Sequence, residues 1–311
     1  MNNKKPEILV LFGGRETRHI LVIEEEFKKL KEPVVFSNYK RINFKTGGRT
    51  DKPKVFLGDL DLAQFKVIFF RGIGNRWEIA NLITGYLQER IDRGEVKIID
   101  PLVVTGDRYR AMKSYQMFAF AQAGLPVPKT LFGRLKFLEK EAGKFFGYPF
   151  ILKRSEGARG ERVYLVNDQK EMKKLAQELL PQETEERKTF LAQEFIANKG
   201  DLRVLVMGDK ILGAMKRART RTDEFRNNVS LGGKAEEFKL TPELEVMALK
   251  AAYLAKLTLA GVDIVLRHPD QQPFIFEVNR APQFKGFVKA TGVNVPRKIA
   301  EYLISLKKEV N

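Results

Sequence analysis

Two apolar runs, "GVDIVLR" (261–267) and "PFIFEVN" (273–279), flank the short polar stretch "HPDQQ". Both are rich in β-branched and aromatic residues, and Pro and Asp lie between them, which predicts an antiparallel hairpin. A hairpin fixes partners. With the turn centred on Asp270, Asp263 falls opposite Glu277, with Cβ atoms roughly 5 Å apart. Asn279 is two residues beyond Glu277 and shares its face. Two carboxylates and an amide oxygen are therefore expected on one patch of sheet.

Asp263, Glu277 and Asn279 are hard oxygen donors. The 311-residue chain has no Cys and two His, which excludes disulfides and thiolate metal sites and leaves Mg²⁺ or Mn²⁺ as the metal this set suits. Mg²⁺ held by few carboxylates completes its shell with water and substrate phosphates, which points to a nucleotide. A plain hairpin with solvated or salt-bridged acids fits the same three residues.

Other stretches supply cations. Lys153 ends the apolar run "YPFILKR" and precedes "SEGARGER" (155–162), in which Gly157 and Gly160 let backbone N–H groups close over phosphates. No G-K-[ST] follows, so this is not a P-loop; a simple strand-connecting turn is the alternative. Lys113, on a helix expected within 108–124, is a second candidate phosphate ligand or a solvated lysine. In "QEFIANKGDLR" (193–203) a strand end can present backbone groups to adenine, and Asp201 can accept from ribose hydroxyls. Arg203 faces the same side as Asp201. The stretch "KRARTRTDEFRNN" (216–228) carries Lys216, Arg217, Arg219, Arg221 and Arg226, either a basic loop or, with Arg226 and Asn228, the surroundings of a transferring phosphoryl group.

The N-terminal hundred residues alternate strands ("EILVLF", "PVVFS", "KVIFFRG", "VKIID") with helical periodicity, which predicts a small, mostly parallel α/β sheet. Gly13-Gly14, ending the first strand, reads as a tight turn, and His19 as a surface or capping residue. A boundary is expected near 101–107, and "DLRVLVMGDKILGAMKRA" reads as two strands turning at Gly208-Asp209. The apolar run before Gly13 is too short for a signal segment and none approaches a membrane span, so a cytoplasmic location without membrane contact is expected. Charge is strongly basic, +17 from 56 Lys+Arg and 39 Asp+Glu, which suits nucleic acid, nucleotide or acidic protein partners.

Taken in order, Lys113, "ILKRSEGARG", "QEFI", "DLR", "FRNN", "GVDI" and "FEVNRAP…F…KATGVNV" resemble the motifs of ATP-grasp ligases over about 107–300. The nearest likeness is to RimK-type glutamate ligases, with glutathione synthetases and the carrier-protein ligases of lysine biosynthesis close by. The resemblance implies an α/β, α+β ATP-grasp fold: a pre-ATP-grasp Rossmann-like domain (1–106), then an ATP-grasp domain (107–311) divided into a lid (107–189) and a metal-binding subdomain (190–311). It implies ATP and two Mg²⁺ ions, an acyl-phosphate intermediate and ADP-forming amide synthesis. Lys113, Lys153, Ser155, Gly157 and Gly160 would bind phosphates. Gln193, Glu194, Phe195 and Ile196 would form the adenine hinge, and Asp201 would meet the ribose. Arg203, Arg226 and Asn228 would hold the γ-phosphate and acyl phosphate, and Asp263, Glu277 and Asn279 the metals. Arg71, Arg280 and Lys285 would meet the substrates.

One segment departs from the pattern. RimK-type enzymes read "EVNASPGLEGIE" where this chain has "EVNRAPQFKGFV". The loop is larger and more basic, and "QFK" is similar to the "EFK" of carrier-protein ligases, whose partners are acidic. The expected substrates are thus an undetermined carboxylate and amine, with an acidic peptide, protein or carrier protein as acceptor. A basic nucleic-acid-binding protein on a relic fold is the alternative; it predicts salt-dependent RNA binding indifferent to ATP.

Overall fold

The computed structural model describes residues 5–14, 18–49, 51–156, 162–218 and 235–310. Its N-terminal part is a four-stranded parallel sheet in the order Val34–Asn38, Ile8–Phe12, Val67–Arg71, Lys97–Ile99. The run "ILVLF" is buried at every position because helices or loops cover both faces. Ile8, Val10, Val67 and Phe69 pack against Ile23 and Phe27 of the helix Arg18–Lys29 and against Ile299 and Leu303 of the C-terminal helix Val295–Glu309. Leu9, Leu11, Ile68 and Phe70 pack against Ala80 and Ile83 of the helix Trp77–Tyr86 and against Val55 and Leu57. Val55 and Leu57 belong to an antiparallel hairpin, Ile42–Gly47 with Asp51–Leu57, that periodicity did not reveal.

Two antiparallel sheets follow. The smaller has the order Val163–Val166, Phe150–Arg154, Phe190–Glu194, Thr130–Gly133 and carries the helices Leu135–Phe146 and Gln169–Thr184 on one face. The larger has the order Ala235–Glu237, Lys210–Ala218, Gly200–Met207, Leu259–Leu266, Pro273–Arg280. Its apolar face packs under the helices Pro242–Leu254 and Lys113–Gln122.

This arrangement corrects the expected division of the chain in two places. Phe190–Glu194, expected to open the metal-binding subdomain, is a central strand of the smaller sheet. The helix Lys113–Gln122, expected in the lid, packs on the larger sheet through Met117 and Phe120. The C-terminal helix packs in one apolar cluster with both the parallel sheet and the larger antiparallel sheet.

A candidate nucleotide and metal site between the antiparallel sheets

The hairpin pairing is met at the site, though by a different route from simple centring. Near the turn the partners are Leu266↔Pro273, Val265↔Phe274 and Ile264↔Ile275; then Asp263 pairs with Glu277. Phe276 is the extra residue of a bulge. Its ring lies 5.9 Å from Lys153 Nζ of the smaller sheet, and it packs with Ile196, Val265 and Phe274. The bulge thus supplies an apolar floor between the two sheets.

On one face of the larger sheet, Asp201 and Arg203 alternate with Leu202 and Val204, which enter the core. Arg203 donates to Asp263 from Nε and, at 2.6 Å, from Nη2. Arg217 donates to Asp201 through Nε at 2.7 Å and through Nη2, which also lies 3.2 Å from Asp263 Oδ2. Burial opposes the Asp263 charge, but Arg203 and Arg217 outweigh it and hold the carboxyl below its usual range. Burial pushes Asp201 the other way, to about 6. Both Asp201 oxygens take Arg217 and the residue is 8% exposed, so the ribose acceptor expected from sequence is here a buried ion-pair partner.

In the sequence Arg217 stood only as one of five residues of a basic cluster, with no partner assigned. The strand Lys210–Ala218 is itself bulged: Val206 pairs with Ile211 but Leu205 with Gly213, which carries Arg217 opposite Asp201. An unbulged hairpin turning at Gly208-Asp209 would have put Lys216 there. Gly261 is a second enabling residue. A Cβ at that position would stand 2.8 Å from Pro282 Cβ and 3.1 Å from Arg203 Cδ, so only glycine admits both.

Asn279 donates its Nδ2 to Glu277 Oε1 at 2.8 Å and to Asp263 Oδ2 at 3.1 Å, which leaves its Oδ1 as an acceptor. Lys113 Nζ is 3.5 Å from Glu277 Oε2. Among the described residues no three His, Cys, Asp or Glu side chains form a metal cluster, so a cation here would need the amide oxygen of Asn279 as a third ligand. Among the described residues Asp263 Oδ1 accepts from Arg203 alone and keeps a lone-pair direction for another partner. The donor set fits a hard divalent cation.

Lys113 is held opposite Glu277 by Gln116, a buried residue overlooked in the sequence. Its side chain pairs with the edge strand, accepting from Val278 N at 3.0 Å and donating to Val278 O at 2.9 Å. Across the cleft, Lys153 is 7% exposed and donates to Gln193 Oε1 at 2.8 Å. Burial, then Lys113, lowers Lys153 to about 8, with Glu277 opposing. Ser155 is buried and meets Ser114 Oγ at 2.7 Å. Glu194 Oε1 accepts from Lys129 N at 2.7 Å; Phe195 is half-buried and Ile196 buried at the strand end. Gly157, Gly160, Arg219, Arg221, Arg226 and Asn228 lie outside the described residues.

The expected substrate residues separate. Arg71 and Arg280 are drawn into the boundary with the parallel sheet, whereas Lys285 is exposed at the start of the helix Lys285–Thr291. His19 is not a simple surface residue: it meets the Phe284 ring edge-on at 4.9 Å.

Two antiparallel sheets facing each other across lysines, carboxylates and an amide define an ATP-grasp fold. A family model described as the RimK-like ATP-grasp domain matches residues 109–303, and the chain belongs to that family. It is 34% identical over 207 residues to a probable alpha-L-glutamate ligase of Cellvibrio japonicus (strain Ueda107), a match covering 66% of this chain and 65% of that relative. Among solved structures it resembles the ATP-grasp ligase PsnB complexed with minimal precursor (TM-score 0.74, 18% identity, 97% of this chain and 99% of that one). It also resembles PsnB complexed with minimal precursor, Mg and ADP (TM-score 0.72, 17% identity, 98% and 100%). No helix among the described residues is long and apolar enough to cross a membrane.

Proposed function

We propose that this chain is an ADP-forming carboxylate–amine ligase that uses ATP and Mg²⁺. The observation that carries the reading is the convergence of Lys153 and Lys113 on Glu277 and its neighbours across one cleft. Lys153, Lys113 and the loop from Ser155 through Gly157 and Gly160 would bind phosphates. Gln193 to Ile196 and Phe276 would take the adenine. Glu277, Asn279 and Asp263 would hold two Mg²⁺ ions, or Mn²⁺ as substitute, which when bound neutralise the phosphate oxygens.

A substrate carboxylate oxygen attacks the γ-phosphorus, and the bond to the ADP oxygen breaks. The amine nitrogen then attacks the acyl carbon. The C–O bond to phosphate breaks, and the amine loses its proton as the amide forms. Arg203, with Arg226 and Asn228, would steady the phosphoryl charge; positioning and charge neutralisation suffice, without a side-chain nucleophile. The name of the Cellvibrio relative and the precursor bound to PsnB support an amino acid or peptide as substrate. An acidic peptide or protein acceptor suits the +17 charge.

The test is ADP formation with Mg²⁺ across amino acids paired with peptide acceptors, followed by mass spectrometry. Product mass one water below the sum of the substrates is expected. ADP formation indifferent to every carboxylate and amine would refute the reading.

A further inference from the structure

The nucleotide cleft uses none of the cations carried by the N-terminal hairpin. Six basic residues and one acid, Asp51, fall within 40–54, a net +5 of the chain's +17. Lys40 and Arg41 precede the strand Ile42–Gly47, Lys45 lies on it, Arg49 lies in the turn, and Lys52 and Lys54 lie on Asp51–Leu57. All six are exposed. None has a carboxylate partner among the described residues.

The register of the hairpin sets these cations against one another. Lys45 pairs directly with Lys54, so both side chains leave the same face with Cβ atoms about 5 Å apart. Lys52, two residues before Lys54, shares that face. Like charges directly opposite weaken a strand pair, and this ribbon has little to offset them. The third strand, Leu60–Asp61, pairs only with Phe56 and Leu57. Beyond them two strands stand alone, an arrangement of marginal stability. The ribbon also runs past its domain: Phe44 and Val55 are partners, yet Phe44 is 56% exposed and Val55 4%.

Charged residues guard free strand edges against stray pairing. A Lys–Glu pair would guard them equally and attract across the ribbon. One sign on both strands fits instead an external polyanion, which brings the neutralising charge that this segment lacks. The shape of the ribbon selects among polyanions. An acidic peptide added as a strand lies along one edge and reaches the lysines of the nearer strand only. A two-stranded ribbon, its strands about 5 Å apart, enters the major groove of B-form DNA, about 12 Å wide, where lysines of the two strands reach phosphates on its two rims. The deep, narrow major groove of A-form RNA does not admit it.

We propose that the strands Ile42–Gly47 and Asp51–Leu57 form a docking arm for duplex DNA, held through the phosphate backbone by Lys45, Lys52 and Lys54. This binding activity is separate from the cleft and does not rest on the ligase reading.

Fluorescence anisotropy of the full chain with a labelled mixed-sequence DNA duplex tests it. Three phosphate contacts predict that the logarithm of the affinity falls against the logarithm of salt with a slope of about −3 between about 50 and about 200 mM. Lys45→Gln with Lys54→Gln should make that slope shallower by about 2 and weaken binding at the lower salt by at least about tenfold. This variant should melt no lower than wild type, because it relieves a like-charge pair. Lys170→Gln with Lys173→Gln, exposed lysines of the helix Gln169–Thr184, removes the same charge elsewhere and should leave the slope unchanged. The arm is refuted if wild type shows no duplex binding at the lower salt, if the hairpin variant keeps the wild-type slope, or if the two double variants weaken binding alike. Tighter binding of an RNA duplex of the same sequence, or of poly-L-glutamate at equal charge, overturns the choice of partner and the proposal with it.

Discussion

At the scale of single residues, two placements govern the site. Lys153 is buried and, with its pKa at about 8, changes charge in an accessible range. In the role proposed for it the protonated form holds phosphate, so metal-free ADP affinity should be level below about pH 7 and fall up to about tenfold per unit above pH 8. Between pH 8 and the ordinary lysine value the unfolded chain binds more protons than the folded one, so this group adds stability as pH rises. Discharging Lys153 therefore does not itself unfold the protein, and denaturant curves at about pH 7 and about pH 9 check that fold loss does not mimic the fall in affinity. Lys153→Met should abolish the pH dependence along with most of the affinity. Arg217 is the second placement. Among the described residues it is the one partner of both Asp201 oxygens, and Arg217→Met strands a buried carboxylate, a loss of roughly 3–5 kcal/mol in denaturant unfolding. Removing both charges with Asp201→Leu and Arg217→Met should recover much of that stability.

Elements set these residues in place, and here the sequence was only partly legible. The strands of the parallel sheet were readable because fully buried strands give continuous apolar runs, and the acid pair because hairpins have partners. The bulges at Phe276 and next to Gly213 were not readable. An extra residue leaves alternation nearly intact yet moves every later partner by one, which hid Arg217. The edge-strand bonds of Gln116 were hidden too, since a glutamine on a helix looks solvated. Gln116→Leu strands the Val278 N–H and C=O; a loss of about 2–4 kcal/mol is expected in urea unfolding, together with weaker nucleotide binding as Lys113 loses its post. Gly261→Ala should cost about 1–3 kcal/mol by overpacking Pro282 and Arg203, with ADP formation falling more than ADP binding.

Across the whole molecule, the α/β domain and the larger antiparallel sheet are joined at polar as well as apolar contacts. Asp100 accepts from Thr258 N at 2.9 Å and Leu259 N at 3.2 Å, which fixes the start of the strand Leu259–Leu266, whose Ala260 pairs with Arg280, against the end of the parallel sheet. The chain's net charge of +17 should favour acidic substrates kinetically, so turnover of an acidic peptide should fall with added salt more than that of a neutral one. The central claim is that the cleft makes an acyl phosphate. Hydroxylamine in place of the amine tests it directly, because only the carboxylate donor must then be supplied. With ATP, Mg²⁺ and the donor, hydroxamate and ADP should appear in equal amounts, and Glu277→Gln should lower both on the order of a hundredfold. ADP appearing without hydroxamate, or hydroxamate formation unchanged in Glu277→Gln, would contradict the account.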